Sequence, residues 1–139
     1  MAATAEEIKS VGWMTSAVKA ETGHIVFASG FRFRALKEVF PELMTAFLQE
    51  TDQMPEENEI LEMFIELNMR DIRSNRKPEG YNRKGRMRMI FPIGRKEMYL
   101  AGNSSSTEVV RVTEKISKML QKKGIRNSLE WDDGISQRT

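Results

Sequence analysis

The stretch from Arg86 to Gly124 changes its hydrophobic period twice, and this constrains the fold more than any other feature of the chain. From Arg86 to Ile93 the residues alternate, with Arg86, Arg88 and Ile90 on one side and Met87, Met89, Phe91 and Ile93 on the other. That is the period of a strand with one wet and one dry face. Pro92-Ile93-Gly94 supplies a turn, and Lys96 to Gly102 (KEMYLAG) returns as the second strand of a hairpin. After the polar run Asn103 to Ser106, apolar residues recur at helical spacing at Val109, Val112, Ile116, Met119 and Leu120. Ser105 and Glu108 make a capping box for this helix, and Gly124 after Lys122-Lys123 marks its end. A hairpin followed by such a helix must bury the apolar face of one against the other.

The remaining segments fit the same plan. Thr4 to Lys19 reads as a helix with Ile8, Val11 and Val18 along one side. His24 to Ala28 and Phe31-Arg32-Phe33-Arg34 read as two strands of a hairpin turning at Ser29-Gly30. Leu36 to Glu50 is amphipathic, with Pro41 restarting the helix after one turn. A further helix, from Pro55 to about 73, turns Ile60, Met63, Phe64, Leu67 and Ile72 inward. Ser74 to Gly85 has no apolar period and reads as a basic, flexible loop at about 74–85. Ile125 to Trp131 adds a last short strand before a frayed tail after about 132. The expectation is α+β: one domain over residues 1–139, with an antiparallel sheet built from two hairpins and amphipathic helices packed on one face.

Composition narrows the chemistry. The chain has no cysteine and one histidine, His24, so thiolate sites, disulfides and polyhistidine zinc centres are excluded. Phosphate-loop, dinucleotide-binding and nucleophile-elbow patterns are absent. Glu59, Glu62 and Glu66 lie along one helix side with no metal-ligand spacing and read as a solvated face. No catalytic residue, metal or cofactor is expected, and the protein is read as non-enzymatic. No secretory leader is visible and no apolar run approaches the ~20 residues of a membrane span. A soluble protein inside the cell, cytoplasmic or nuclear, is expected.

Charge carries the functional signal. Glu38 to Glu66 holds nine acids and no base, whereas Arg70 to Lys96 holds ten Lys or Arg against two acids. The dipole of the 55–73 helix accounts for part of this, since its acids start and its bases end that helix. If FRFR and RMRM lie in one sheet with their apolar sides inward, Arg32, Arg34, Arg86 and Arg88 share the open face. Arginine pairs bidentately with phosphate, so such a face suits a polyanion. The loop adds Arg73, Arg76, Lys77, Arg83 and Lys84, with Tyr81 placed to stack on a base. These ten residues are the candidate nucleic-acid site, with RNA favoured over DNA. The alternative is a protein-interaction or self-assembly module that pairs its acidic (38–66) and basic (70–96) surfaces, giving a homo-oligomer.

The layout from Arg86 to Ile125 is similar to the C-terminal part of a TATA-box-binding-protein repeat. HIVF, FRFR, RMRMIF and KEMYLAG together resemble the strand pattern of tombusvirus RNA-silencing suppressors. Either resemblance implies nucleic acid on the open sheet face, and the second implies double-stranded RNA.

Overall fold

Three helices of this chain end in the same way, and those ends set where the sheet and its connections meet. The computed structural model describes residues 20–103 and 106–132. Its elements are β1 (Thr22–Phe27), a 3-10 helix (Phe33–Glu38), α1 (Phe40–Glu50), α2 (Asn58–Arg73), β2 (Met87–Ile90), β3 (Glu97–Gly102), α3 (Ser106–Lys122) and β4 (Asn127–Asp132). After α1, Asp52 N–H donates to Gln49 O and Gln53 N–H to Leu48 O. After α2, Asn75 N–H donates to Ile72 O and Arg76 N–H to Asp71 O. After α3, Gly124 N–H donates to Gln121 O and Ile125 N–H to Leu120 O. Each is the paired closure that satisfies the last helical carbonyls, and each needs one left-handed residue. Asp52, Asn75 and Gly124 take it, with φ of 58°, 58° and 82°. Asp and Asn tolerate that region because their short polar side chains bond locally.

The expected α+β class is observed. The four strands form an antiparallel sheet in the order β2-β3-β1-β4, and the 86–102 hairpin forms as β2 and β3, with Met89 opposite Leu100. β1 lies in the centre, with Ile25 opposite Met98 on one side and Leu129 on the other. Its buried residues Ile25 and Phe27 join Met87, Met89, Met98 and Leu100 on the helix-facing side. Val109, Val112, Ile116 and Leu120 of α3 and Phe40, Leu43, Met44, Phe47 and Leu48 of α1 close the core over them.

Two details differ from the sequence reading. FRFR is not a strand: Phe31 N–H donates back to Ala28 O, and Phe33 opens the 3-10 helix. Both sides of β1 are already taken by β3 and β4, so no position beside β1 remains for a hairpin partner. Aromatic packing uses these residues instead, since Phe31 stacks on Phe27 at 3.9 Å and Phe33 meets Phe31 edge-on at 5.2 Å. The second difference is the rotation of α2. It buries Asn68, Met69 and Ile72, with Leu61, Phe64 and Ile65 against the core, so Phe64 and Ile72 turn inward as expected while Met63 and Leu67 stay outside. The helix expected over 4–19 and the Ser105 half of the α3 capping box lie outside the described residues.

Candidate nucleic-acid interface

The register of the strands decides which arginines can act together. Arg88 pairs with Ala101, and Ala101 with Thr22, so Arg86 and Arg88 stand at the first-residue end of β1. Arg32 and Arg34 follow Phe27, at the other end of that strand. Five residues of strand separate the two places, roughly 17 Å at 3.3 Å per residue. The four arginines expected on one open face are therefore not one site. Arg86 is also engaged, donating to both carboxylate oxygens of Glu108 at 3.0 and 3.1 Å. Glu108 in turn faces Arg111, which bonds Glu50, linking β2, α3 and α1. Arg88 is exposed on the sheet face away from the helices.

That open face carries Thr22, His24, Tyr99, Glu97 and Glu130 as well as Arg88. His24 Nδ1 lies 2.8 Å from Glu97 Oε2, its Nε2 lies 2.9 Å from Thr22 Oγ1, and its ring stacks on Tyr99. Arg95 reaches the same carboxylate. The cluster holds Glu97, which is 6% exposed, in a hydrogen-bonded setting. Such support is what an almost fully buried carboxylate requires.

The basic loop is tied to the body at its centre. Asn68 Nδ2 donates to Gly80 O at 3.2 Å, and Gly80 N–H donates to Asn68 Oδ1 at 2.7 Å. Tyr81 then exchanges both backbone hydrogen bonds with Met89, closing the outer side of β2. The Tyr81 ring packs edge-on against Phe47 and Phe64, and the Arg83 guanidinium sits over Phe64 at 5.0 Å. Tyr81 is thus half-buried in an aromatic cluster and does not project from the loop as a free platform. Arg73 is paired with Glu66 and Arg76 with Asp71. Lys77 Nζ donates to Pro78 O, and Lys84 is exposed. The Arg73 pair holds the Glu66 carboxyl below its ordinary range and raises the guanidinium above its own.

The three arginines that do come together are Arg32, Arg34 and Arg126. They line a groove of about 500 Å³ whose apolar wall includes Phe31, Ile125, Ala28 and Ala35. Ala28 N–H donates to Arg126 O at 3.1 Å, fastening the end of β1 to the turn that follows α3. Arg34 N–H donates to Asn75 Oδ1, which brings the end of α2 alongside. Among the described residues, none of the three guanidiniums is matched by a carboxylate, and no acid lines the groove. Arg126 is the residue that sequence reasoning missed. Its nearness to Arg32 depends on β1 pairing with β4 across about a hundred residues, which no local pattern reveals.

The groove belongs to a wider polarity. The 92–96 turn reaches the same end, where Phe27 N–H donates to Lys96 O and Lys96 Nζ to Ser29 O. The basic ends of α2 and α3 lie there too, Lys123 facing Glu42 at the start of α1. The opposite end holds the acidic start of α2 and the Glu50–Arg111–Glu108–Arg86 network. Charge is thus only partly sorted between the two ends, since Arg86 and Arg88 of the basic block lie at the end where α2 begins and Glu42 of the acidic block lies at the other.

No protein-family model, curated protein or solved structure matches this chain. The strand pattern likened to the silencing suppressors also lacks its FRFR strand here. Among the described residues, no helix is long and apolar enough to cross a membrane, and no group of three or more His, Asp or Glu is placed to hold a metal ion.

Proposed function

We propose that the protein binds nucleic acid without catalysis, using the basic end of the sheet and not its open face. The observation that carries this reading is the groove lined by Arg32, Arg34 and Arg126, three arginines with no carboxylate partner among the described residues, beside an apolar wall. Guanidinium is weakly hydrated and matches phosphate oxygens with two parallel bonds, so a cluster of this kind favours a phosphate chain over isolated anions. The apolar lining, in which Phe31 and Ile125 are each 8% exposed, offers an unstacked base a narrow surface to lie on. Single-stranded RNA uses both features at once, its phosphates on the rim and a base on the wall. Lys96, which reaches Ser29 O, and Arg76, next to Asn75 and paired with Asp71, add positive charge at the same end.

Fluorescence anisotropy with single-stranded and duplex RNA and DNA across a salt series tests this. Three phosphate contacts give an affinity loss of about 20- to 40-fold between 50 and 200 mM salt. Changing Arg32, Arg34 and Arg126 together to Gln removes the binding and leaves thermal stability unchanged, while Arg88→Gln has little effect. Undiminished binding by the triple variant would refute the groove. Equal loss on Arg88→Gln would return the site to the open face.

A further inference from the structure

The helix α2 has more apolar surface than the core uses. At 100° per residue its buried side is centred on Leu61, Ile65 and Ile72, and a second apolar stripe, Ile60–Met63–Leu67, faces nearly the opposite way. Met63 and Leu67 are 44% and 47% exposed and stand on consecutive turns. A solvent-facing helix side with adjacent exposed Met and Leu marks a contact surface. The charges beside the stripe say what it contacts. Glu59 lies at its start and Arg70 at its end, on the same flank; among the described residues neither makes a side-chain hydrogen bond or a close ion pair, Arg70 having only a longer-range attraction to Glu66.

We infer that α2 pairs antiparallel with α2 of a second copy across a two-fold axis. A two-fold contact requires a patch that complements itself, and this one does. With the axis passing beside residue 65, Met63 of each copy meets Leu67 of the other. Glu59 lies six residues before that point and Arg70 five after it. At 1.5 Å per residue, each Glu59 then comes level with the other copy's Arg70, on the same side of the helix pair. A parallel pairing would instead set Glu59 against Glu59 and Arg70 against Arg70. The two apolar contacts and two ion pairs form together only in the antiparallel arrangement. The proposed RNA groove shares no residue with this surface, so the dimer stands or falls independently of the reading above.

The test is the mass of the nucleic-acid-free protein by sedimentation or light scattering across micromolar concentrations. Twice the 16.0 kDa of one chain is expected. The pair Met63→Asp and Leu67→Asp gives a single-chain mass. Glu59→Arg or Arg70→Glu alone raises the dissociation constant roughly tenfold or more, because like charges then meet. The two changes combined in one chain restore it. If the Asp variant unfolds, these exposed charge exchanges still decide the matter. The chain lacks cysteine, so mixing Met63→Cys with Leu67→Cys protein gives a second readout. Disulfides form between unlike variants in preference to like ones. A single-chain mass for the unmodified protein, a dimer that survives the Asp pair, a charge swap that fails to restore it, or cross-links without that preference would each overturn the inference. The Arg32, Arg34 and Arg126 variant remains dimeric.

Discussion

Removing the side chain of Asn68 should loosen the basic loop and cost the whole protein a measurable part of its stability. Asn68 is 2% exposed, and its amide pairs with both backbone groups of Gly80, as a neighbouring strand would. Asn68→Ala leaves the Gly80 N–H and C=O without those partners in a buried place. Each such group costs about 1–3 kcal/mol when unpaired, so the pair sets a range of about 2–6 kcal/mol. The third bond, Nδ2 to Phe64 O, adds little because that carbonyl already accepts within the helix. The loop is at the surface and its backbone can shift toward water, which places the expected loss in the lower half of the range, about 2–4 kcal/mol. Against a typical total of 5–15 kcal/mol, that is a large fraction. Urea unfolding measures the loss, and amide exchange localises it. Tyr81 and Met89, which bond each other through N–H groups, should exchange faster than amides in β1. A loss below about 0.5 kcal/mol with unchanged exchange at Tyr81 would show that the loop is held by its aromatic contacts alone.

Two further outcomes follow from single sites. Arg111, by hydrogen bonding, and Lys115 hold the Glu50 carboxyl below its ordinary 4.5. A carboxyl whose folded pKa is depressed adds stability above its unfolded pKa and loses it as pH falls through the folded one. Glu50→Gln should therefore destabilise at pH 7 by less than about 1 kcal/mol, the scale of a half-exposed pair, and the gap should narrow as pH falls below the ordinary carboxyl range in urea titrations. Thr113 lies on α3 directly over Gly23 of β1, and its buried hydroxyl has no hydrogen-bond partner among the described residues. Thr113→Val keeps the shape and removes the unpaired oxygen, so it should stabilise by about 1 kcal/mol in thermal or urea unfolding. A loss of stability would show that the hydroxyl is satisfied.

The residues that announced themselves in sequence were those whose neighbours lie close along the chain. The alternation of Met87 and Met89 and the stripe from Val109 to Leu120 are local signals, and both elements form as expected. The FRFR alternation was equally regular, but four residues cannot distinguish a strand from a turn whose rings fold back onto Phe27. What decided it was the occupancy of both sides of β1, a property of the assembled sheet. The inward face of α2 was ambiguous because apolar residues cover much of its circumference, and the buried Asn68 was the polar residue that fixed its rotation. The groove was illegible for the same reason as the FRFR turn. Arg32, Arg34 and Arg126 meet only because of the β1–β4 pairing, whereas charge density in the sequence drew attention to a segment whose Arg73, Arg76, Arg86 and Arg95 are paired with carboxylates.

The separation of the Arg32, Arg34 and Arg126 cluster from the exposed Glu56, Glu57 and Glu59 at the start of α2 also changes how the whole molecule meets a charged surface. A formal charge of +2 implies weak retention on any ion exchanger. A molecule with two such separate clusters does not present its average to a resin. It can dock upright on a sulfonate matrix by the Arg32–Arg126 end and inverted on a quaternary amine matrix by the end where α2 begins. At low salt it should be retained by both, and the elution order of the Arg32, Arg34 and Arg126 variant should shift on the first column while staying fixed on the second.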